Sequence, residues 1–198
     1  MHRPRYAIYS GPSLFDGKPI RVLLTLNTAN RKIGDMAQVW ILRDRVDPVR
    51  AVQSNGDASI CGTCPLRGDH GRGRSCYVVP FQAPLMVWKE ARAGKYPDLA
   101  LAALGDVLAG RLVRVSAYGD PAAVPTAVWR AVVTAARGWT GYTHAWRTCD
   151  PILKTWLMAS VESVADAAAA QAQGWRVFYA RPLGVPAPDF EGPQAVDA

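Results

Sequence analysis

Arg111–Asp120 reads RLVRVSAYGD, and three comparable segments follow it: GWTGYTHAW at 138–146, TWLMASVES at 155–163 and GWRVFYA at 174–180. Each is a short apolar run rich in Val, Trp, Tyr and Phe, which reads as a strand. The stretch after the first carries Val124, Val128, Ala131, Val132 and Ala135 at helical spacing, and the stretch after the third is the alanine-rich VADAAAAQAQ. Strand followed by helix, repeated, predicts a parallel sheet with helices packed on it through right-handed crossovers. Moving outward, IRVLLTL at 20–26 and MAQVWIL at 36–42 add two earlier strands, joined by the polar segment NTANRKIGD. Five or six parallel strands are too few for a closed eight-stranded barrel, which takes about 250 residues. The expected class is therefore α/β, either a partial (β/α) barrel or an open parallel sheet, with a long Cys-bearing loop over 43–80. A helix is expected over Gln82–Ala93, with Leu85, Val87, Trp88 and Ala91 on its apolar face. A second follows Asp98, which suits an N-cap.

With 198 residues, 49% hydrophobic and 20% charged, the chain has the composition of one globular unit rather than of a disordered or fibrous protein. The expected domain runs over 1–184, and the Pro-rich 185–198 reads as a flexible tail. No run of 18 apolar residues and no apolar leader occur, which points to a cytoplasmic protein without a membrane partner. The net charge of +7 favours an anionic ligand, nucleic acid or an acidic host protein as partner without choosing among them. The arginines form no block of the kind that marks a nucleic-acid tail.

In a reducing compartment, cysteines more often hold metal or do chemistry than pair as disulfides. Cys61-Gly-Thr-Cys64-Pro is followed, eleven residues on, by Cys76-Tyr77. Two thiolates three apart can chelate one centre from a tight turn, and a third returning through a Gly/Arg loop can complete a face. Cys149 is the candidate fourth ligand. Soft thiolates suit zinc or iron–sulfur over hard cations, and one pair with two singles, rather than two close pairs, leans toward iron and sulfide. Arg67, Arg72 and Arg74 lie among the cysteines and would offset thiolate charge for either metal. Inert buried thiols are the plain alternative.

Sites in parallel α/β folds form at the carboxyl ends of the strands. That rule selects Ser116, Tyr118 and Asp120 after one strand, Thr143, His144, Trp146, Arg147 and Cys149 after the next, and Ser160, Glu162 and Ser163 after the third. Asp120, His144 and Glu162 are the candidate catalytic groups. Asp120 and Asp150 each precede Pro and also read as helix caps, Ser163 reads as a cap before Asp166, and His144 equally reads as a packed ring. Ser116, Tyr118, Arg147 and Ser160 could bind a cofactor. Asn27, Asn30 and Lys32, with Arg31, could form an anion-binding amide nest or a plain turn. No HExxH, nucleophile elbow, dinucleotide-binding glycine pattern or EF-hand loop is present.

Taken in order, the cluster ending Cys76-Tyr77, the strands ending SAYGD, GYTHAWR and ASVES, and the Asn30-Arg-Lys32-Ile-Gly34 element resemble phage-encoded proteins of the mycobacteriophage gene product 88 type. The similarity covers about residues 20–184 and extends, more remotely, to radical-SAM-like partial barrels. The resemblance implies a (β/α) partial barrel whose cysteine loop holds a 4Fe–4S cluster at the carboxyl rim. It implies no known substrate. The spacing here, Cys-x2-Cys-x11-Cys, departs from the Cys-x3-Cys-x2-Cys of radical-SAM enzymes, whose open iron chelates S-adenosylmethionine. Two readings follow. Four cysteines, Cys61, Cys64, Cys76 and Cys149, close the cluster in a non-enzymatic protein. Otherwise three hold it in a radical-SAM-like enzyme, in which Asp120, His144 and Glu162 handle substrate. A zinc-binding module engaging nucleic acid or a host protein is the further alternative, and whether the chain is an enzyme stays open.

Overall fold

The chain opens with a hairpin that the reading above omits. In the computed structural model, which describes residues 4–27, 34 and 36–180, β1 (Arg5–Pro12) pairs antiparallel with β2 (Pro19–Thr25). The turn between them closes through Ser13 N–H on Lys18 O at 2.9 Å. β3 (Ala37–Arg43) continues the antiparallel order against β2. It is buried at six of its seven positions, because it is the pivot at which the sheet changes sense. Its apolar run, interrupted only by the buried Gln38, is that of a central strand covered on both faces.

Beyond β3 come α1 (Pro48–Gln53), α2 (Ala58–Cys61), α3 (Ala83–Arg92) and α4 (Leu104–Leu108). β4 (Leu112–Tyr118) then returns parallel to β3, α5 (Thr126–Ala135) crosses over, and β5 (Gly138–Thr140) lies parallel to β4. This completes a five-stranded mixed sheet ordered β1-β2-β3-β4-β5. A second, all-parallel sheet contains β6 (Tyr142–Thr143), β7 (Met158–Val161) and, after α6 (Val164–Ala172), β8 (Arg176–Tyr179). The two sheets are not closed on one another. They abut at Gly141, whose carbonyl accepts from Met158 N–H at 3.0 Å. A Cβ on Gly141 would lie 2.8 Å from Val115 O, so only glycine allows the backbones to approach this closely.

The mixed α/β class thus stands, with corrections. β2 runs antiparallel rather than parallel, and GWTGYTHAW breaks into two strands. The loop over 43–80 contains α1, α2 and a 3-10 turn at Pro65–Arg67. Asp98 caps nothing: its side chain is 89% exposed, and the following turn begins at Leu101. By contrast Asp120, Asp150 and Ser163 do cap, accepting from Ala122, Ile152 and Asp166 N–H respectively. The core runs through both sheets and centres on Trp129 of α5, whose indole N–H donates to Pro121 O at 2.8 Å. Among the described residues no helix is long and apolar enough to cross a membrane. The 185–198 tail lies outside the described residues.

Candidate metal centre

The cysteines sit where a short helix meets a short hairpin. α2 ends at Gly62, whose φ of +56° reverses the chain, and Cys64 N–H donates to Cys61 O at 3.1 Å, closing the turn between the first two thiols. Downstream, Ser75 and Cys76 N–H both donate to Leu66 O, and Asp69 and Arg72 bridge one another, so the chain folds back and returns Cys76 beside the first pair. This hairpin is locked from beneath. Asp57, its side chain 1% exposed, receives Arg67 Nη2 at 2.5 Å and faces Arg74 Nη1 at 3.5 Å. Arg67 also reaches Asn55 O, while Arg72 stays on the surface with Asp69.

The opposing wall is built by the strand ends. Along β4, Arg114 and Tyr118 face Gln38 and Trp40, so β4 spends four positions against two of β3. Such a bulge turns side chains out of the ladder. Ser116 at its centre has φ +68°, a left-handed conformation that is strained for a residue with a Cβ and concentrates at functional sites. Its hydroxyl donates to Gly119 O. Gly119 itself has φ +85°, and a Cβ there would sit 2.7 Å from that of Ile41. Asp120 then ties the wall to the cysteine segment: its N–H donates to Ile60 O at 2.5 Å, and its carboxylate accepts from Thr143 Oγ1 at 2.6 Å and His144 N–H at 2.8 Å.

Between these walls lies a cavity of about 120 Å³. Cys61, Cys64 and Cys76 line it together with Ser116, Tyr118, Asp120, His144 and Ser160, and an aromatic side formed by Tyr77, Tyr142 and Phe178. Tyr142 stacks on Phe178 with centroids 4.6 Å apart, and Tyr77 OH bonds Tyr142 OH at 2.6 Å. Burial, and then Asp57, Cys64, Cys76 and Asp120 around it, push the Cys61 thiol well above its ordinary range. Without a cation that sulfur stays protonated and is a poor nucleophile, whereas a bound metal would deprotonate it outright. Cys61 shows some surface, but it lines the cavity and protein encloses it; enclosure governs its acidity.

His144 is the cationic side of the cavity. Burial alone would push it down, yet the Cys64 sulfur and the Glu162 carboxylate lift it to about 10, which favours the imidazolium form. Its Nε2 stands 3.0 Å from Glu162 Oε1 but without hydrogen-bond alignment, which makes the contact an ion pair. Burial raises Asp120 despite its three donors. Two buried hydroxyls on the cavity wall, Tyr118 Oη and Ser160 Oγ, have no hydrogen-bond partner among the described residues.

Of the residues singled out from sequence, Cys61, Cys64, Cys76, Ser116, Tyr118, Asp120, His144 and Ser160 meet on this one cavity, with Glu162 behind His144. Cys149 is half-buried and packs against the core without lining the cavity; burial, then Asp120 and Asp150, push its thiol up to about 11. Arg147 lies over the Trp146 ring at 3.8 Å and pairs with Asp166, away from the cavity. Asn27 accepts from Arg111, also away from it, and Asn30 and Lys32 lie outside the described residues. Among the described residues, no three His, Cys, Asp or Glu side chains converge tightly enough to hold a single metal ion. Tyr77, Tyr142, Phe178 and the Asp57 anchor escaped the sequence reading. Strand alternation could have found the aromatics, since Tyr142 and His144, and Phe178 and Ala180, are i, i+2 pairs.

Comparison of the chain with family models, with curated proteins and with solved structures returned no match.

Proposed function

We propose that the protein binds an iron–sulfur cluster, of the 4Fe–4S type, through Cys61, Cys64 and Cys76, at the rim of a partial (β/α) barrel that the two abutting sheets form together. The observation that carries this reading is the arrival of three thiols, from two separate turns, on one cavity. A single zinc ion draws its ligands to within about 2.0–2.3 Å of one point. Thiols spread around a cavity of about 120 Å³ suit a larger inorganic centre better. His144 on the cavity wall and Arg74 beneath the hairpin supply positive charge that favours thiolates. When bound, such a cluster supplies one-electron chemistry or a structural staple.

One feature favours a second reading, a radical-SAM-like enzyme with an iron open to S-adenosylmethionine: the unpartnered hydroxyls of Tyr118 and Ser160 line the same cavity as the thiols. Protein purified anaerobically is expected to carry iron and sulfide, and Ser at position 61, 64 or 76 should abolish both. Zinc without sulfide would replace the cluster with a zinc module. Cys149→Ser separates the cluster forms: loss of iron marks a fourth thiolate, while full retention with a spectral change on adding S-adenosylmethionine marks the open-iron enzyme.

A further inference from the structure

Beneath the cysteine hairpin the buried charges do not balance. Asp57 brings one carboxylate, and Arg67 and Arg74, with side chains only 15% and 11% exposed, bring two guanidinia. The two arginines are engaged differently. Arg67 Nη2 is held by Asp57 Oδ1 at 2.5 Å, Asn55 Oδ1 at 3.0 Å and Asn55 O at 3.1 Å, so its charge is matched at contact. Arg74 meets Asp57 only at 3.5 Å, and its hydrogen bonds go to the neutral carbonyls of Arg67 and Val78, both at 3.3 Å. Among the described residues neither arginine's Nε–H has a hydrogen-bond acceptor, and Asp57 Oδ2, which faces Arg74 Nη1 across 3.5 Å, accepts no hydrogen bond. Carbonyl dipoles solvate a cation without cancelling it, and buried charges persist where something opposite compensates them. Arg74 lies two residues before Cys76, on the hairpin strand that returns this thiol to the cavity.

We propose that Arg74 is the built-in counter-charge of the thiolate centre and sets its reduction potential, whereas Arg67 serves only to hold the hairpin and Arg72 is a surface group. This rests on the iron–sulfur reading above. Reduction adds one electron, and so one negative charge, to a centre already made anionic by its thiolates. A fixed cation nearby stabilises the reduced form and raises the potential.

The test uses the full chain, purified anaerobically, with iron and sulfide counted per chain and the midpoint potential measured by dithionite titration. Arg74→Met removes the charge and keeps most of the stem; Arg74→Lys keeps the charge and loses the fork; Arg72→Met is the control. The expected result is a midpoint shifted to more negative values in R74M, one near wild type in R74K, and none changed in R72M. Should R74M fold, by circular dichroism, yet lose its iron while R74K keeps it, the counter-charge role also stands. An iron-loaded R74M with the wild-type potential would overturn the role of Arg74 alone. So would equal damage in R74M and R74K, which would mean that the fork's geometry is what counts. Wild-type protein without iron and sulfide would instead overturn the cluster reading, and the role of Arg74 with it.

Discussion

Two buried aspartates flank the cysteine helix α2, and their surroundings are opposite in kind. Asp57, just before the helix, is held by guanidinia; Asp120, bonded to its last turn through Ile60, is held by Ala122 N–H, His144 N–H and the Thr143 hydroxyl. The first therefore organises an irregular segment through charge. The second organises strand ends through oriented dipoles, with burial still raising its pKa. A loop without a ladder has few backbone bonds to fix it, so it needs strong, long-reaching side chains. Strand ends are already placed by their sheets, and a capping carboxylate only has to align them.

The largest effect should come from breaking the charged member. Asp57→Asn leaves both guanidinia buried without a counter-ion, and removal of one partner from a buried ion pair costs about 3–5 kcal/mol. Urea unfolding of chelator-treated protein should register that loss. A cost under about 1 kcal/mol would mean that water already reaches the arginines, and the contrast between the two aspartates would collapse.

Asp120→Asn should cost less, about 1–3 kcal/mol, because one donor-rich neighbour is left facing an amide N–H instead of an oxygen. It should also loosen the link between Thr143, His144 and Ile60, which amide hydrogen exchange at Thr143–Ala145 would report as faster exchange. If D120N proves costlier than D57N under the same conditions, the rim and not the hairpin is the keystone of the cavity.

The same contrast explains what could be read from the chain. The rim residues were legible because periodicity locates strand ends: RLVRVSAYGD and TWLMASVES announce both a strand and where it stops, and Asp-Pro and Ser163 announce the caps. The cavity's sulfurs were legible through the Cys61, Cys64 spacing. Not legible was the pairing of Asp57 with Arg67 and Arg74, because three arginines lie among the cysteines and nothing in their order separates the exposed Arg72 from the two buried ones. Burial of a loop side chain is decided by how the loop folds back, a long-range outcome without a period. The β1–β2 hairpin carried a signal, Asp16-Gly17 at its turn, which the βα alternation downstream overshadowed. The placement of Cys149 depends in the same way on the turn after β6, whose bonds from Thr148 and Cys149 N–H to Ala145 O no spacing rule anticipates.

The smallest effect, and the one that distinguishes charge from dipole most cleanly, belongs to Thr143→Val. It removes the 2.6 Å donor to Asp120 Oδ1 and the acceptor for Ala145 N–H, and should cost about 1 kcal/mol near neutral pH. The penalty should vary with pH in a defined sense. Asp120 has a folded pKa above its ordinary 3.8, so the folded state holds its proton more tightly than the unfolded chain does, and its contribution to stability falls as pH rises from 3.8 to the folded value. The Thr143 donor opposes that rise, so losing it moves the folded pKa higher still. Just above 3.8 the Asp120 contribution is the same in wild type and T143V, so the two stability curves should run parallel; above the wild-type folded value that contribution levels off in the wild type and goes on falling in the variant, and the gap widens. Urea midpoints taken in steps from about pH 4 to 8 would trace it. Curves that stay parallel throughout would mean that the hydroxyl serves neutral and charged carboxyl alike, in which case Asp120 would be a simple cap, and the dipole side of the comparison would lose its electrostatic content.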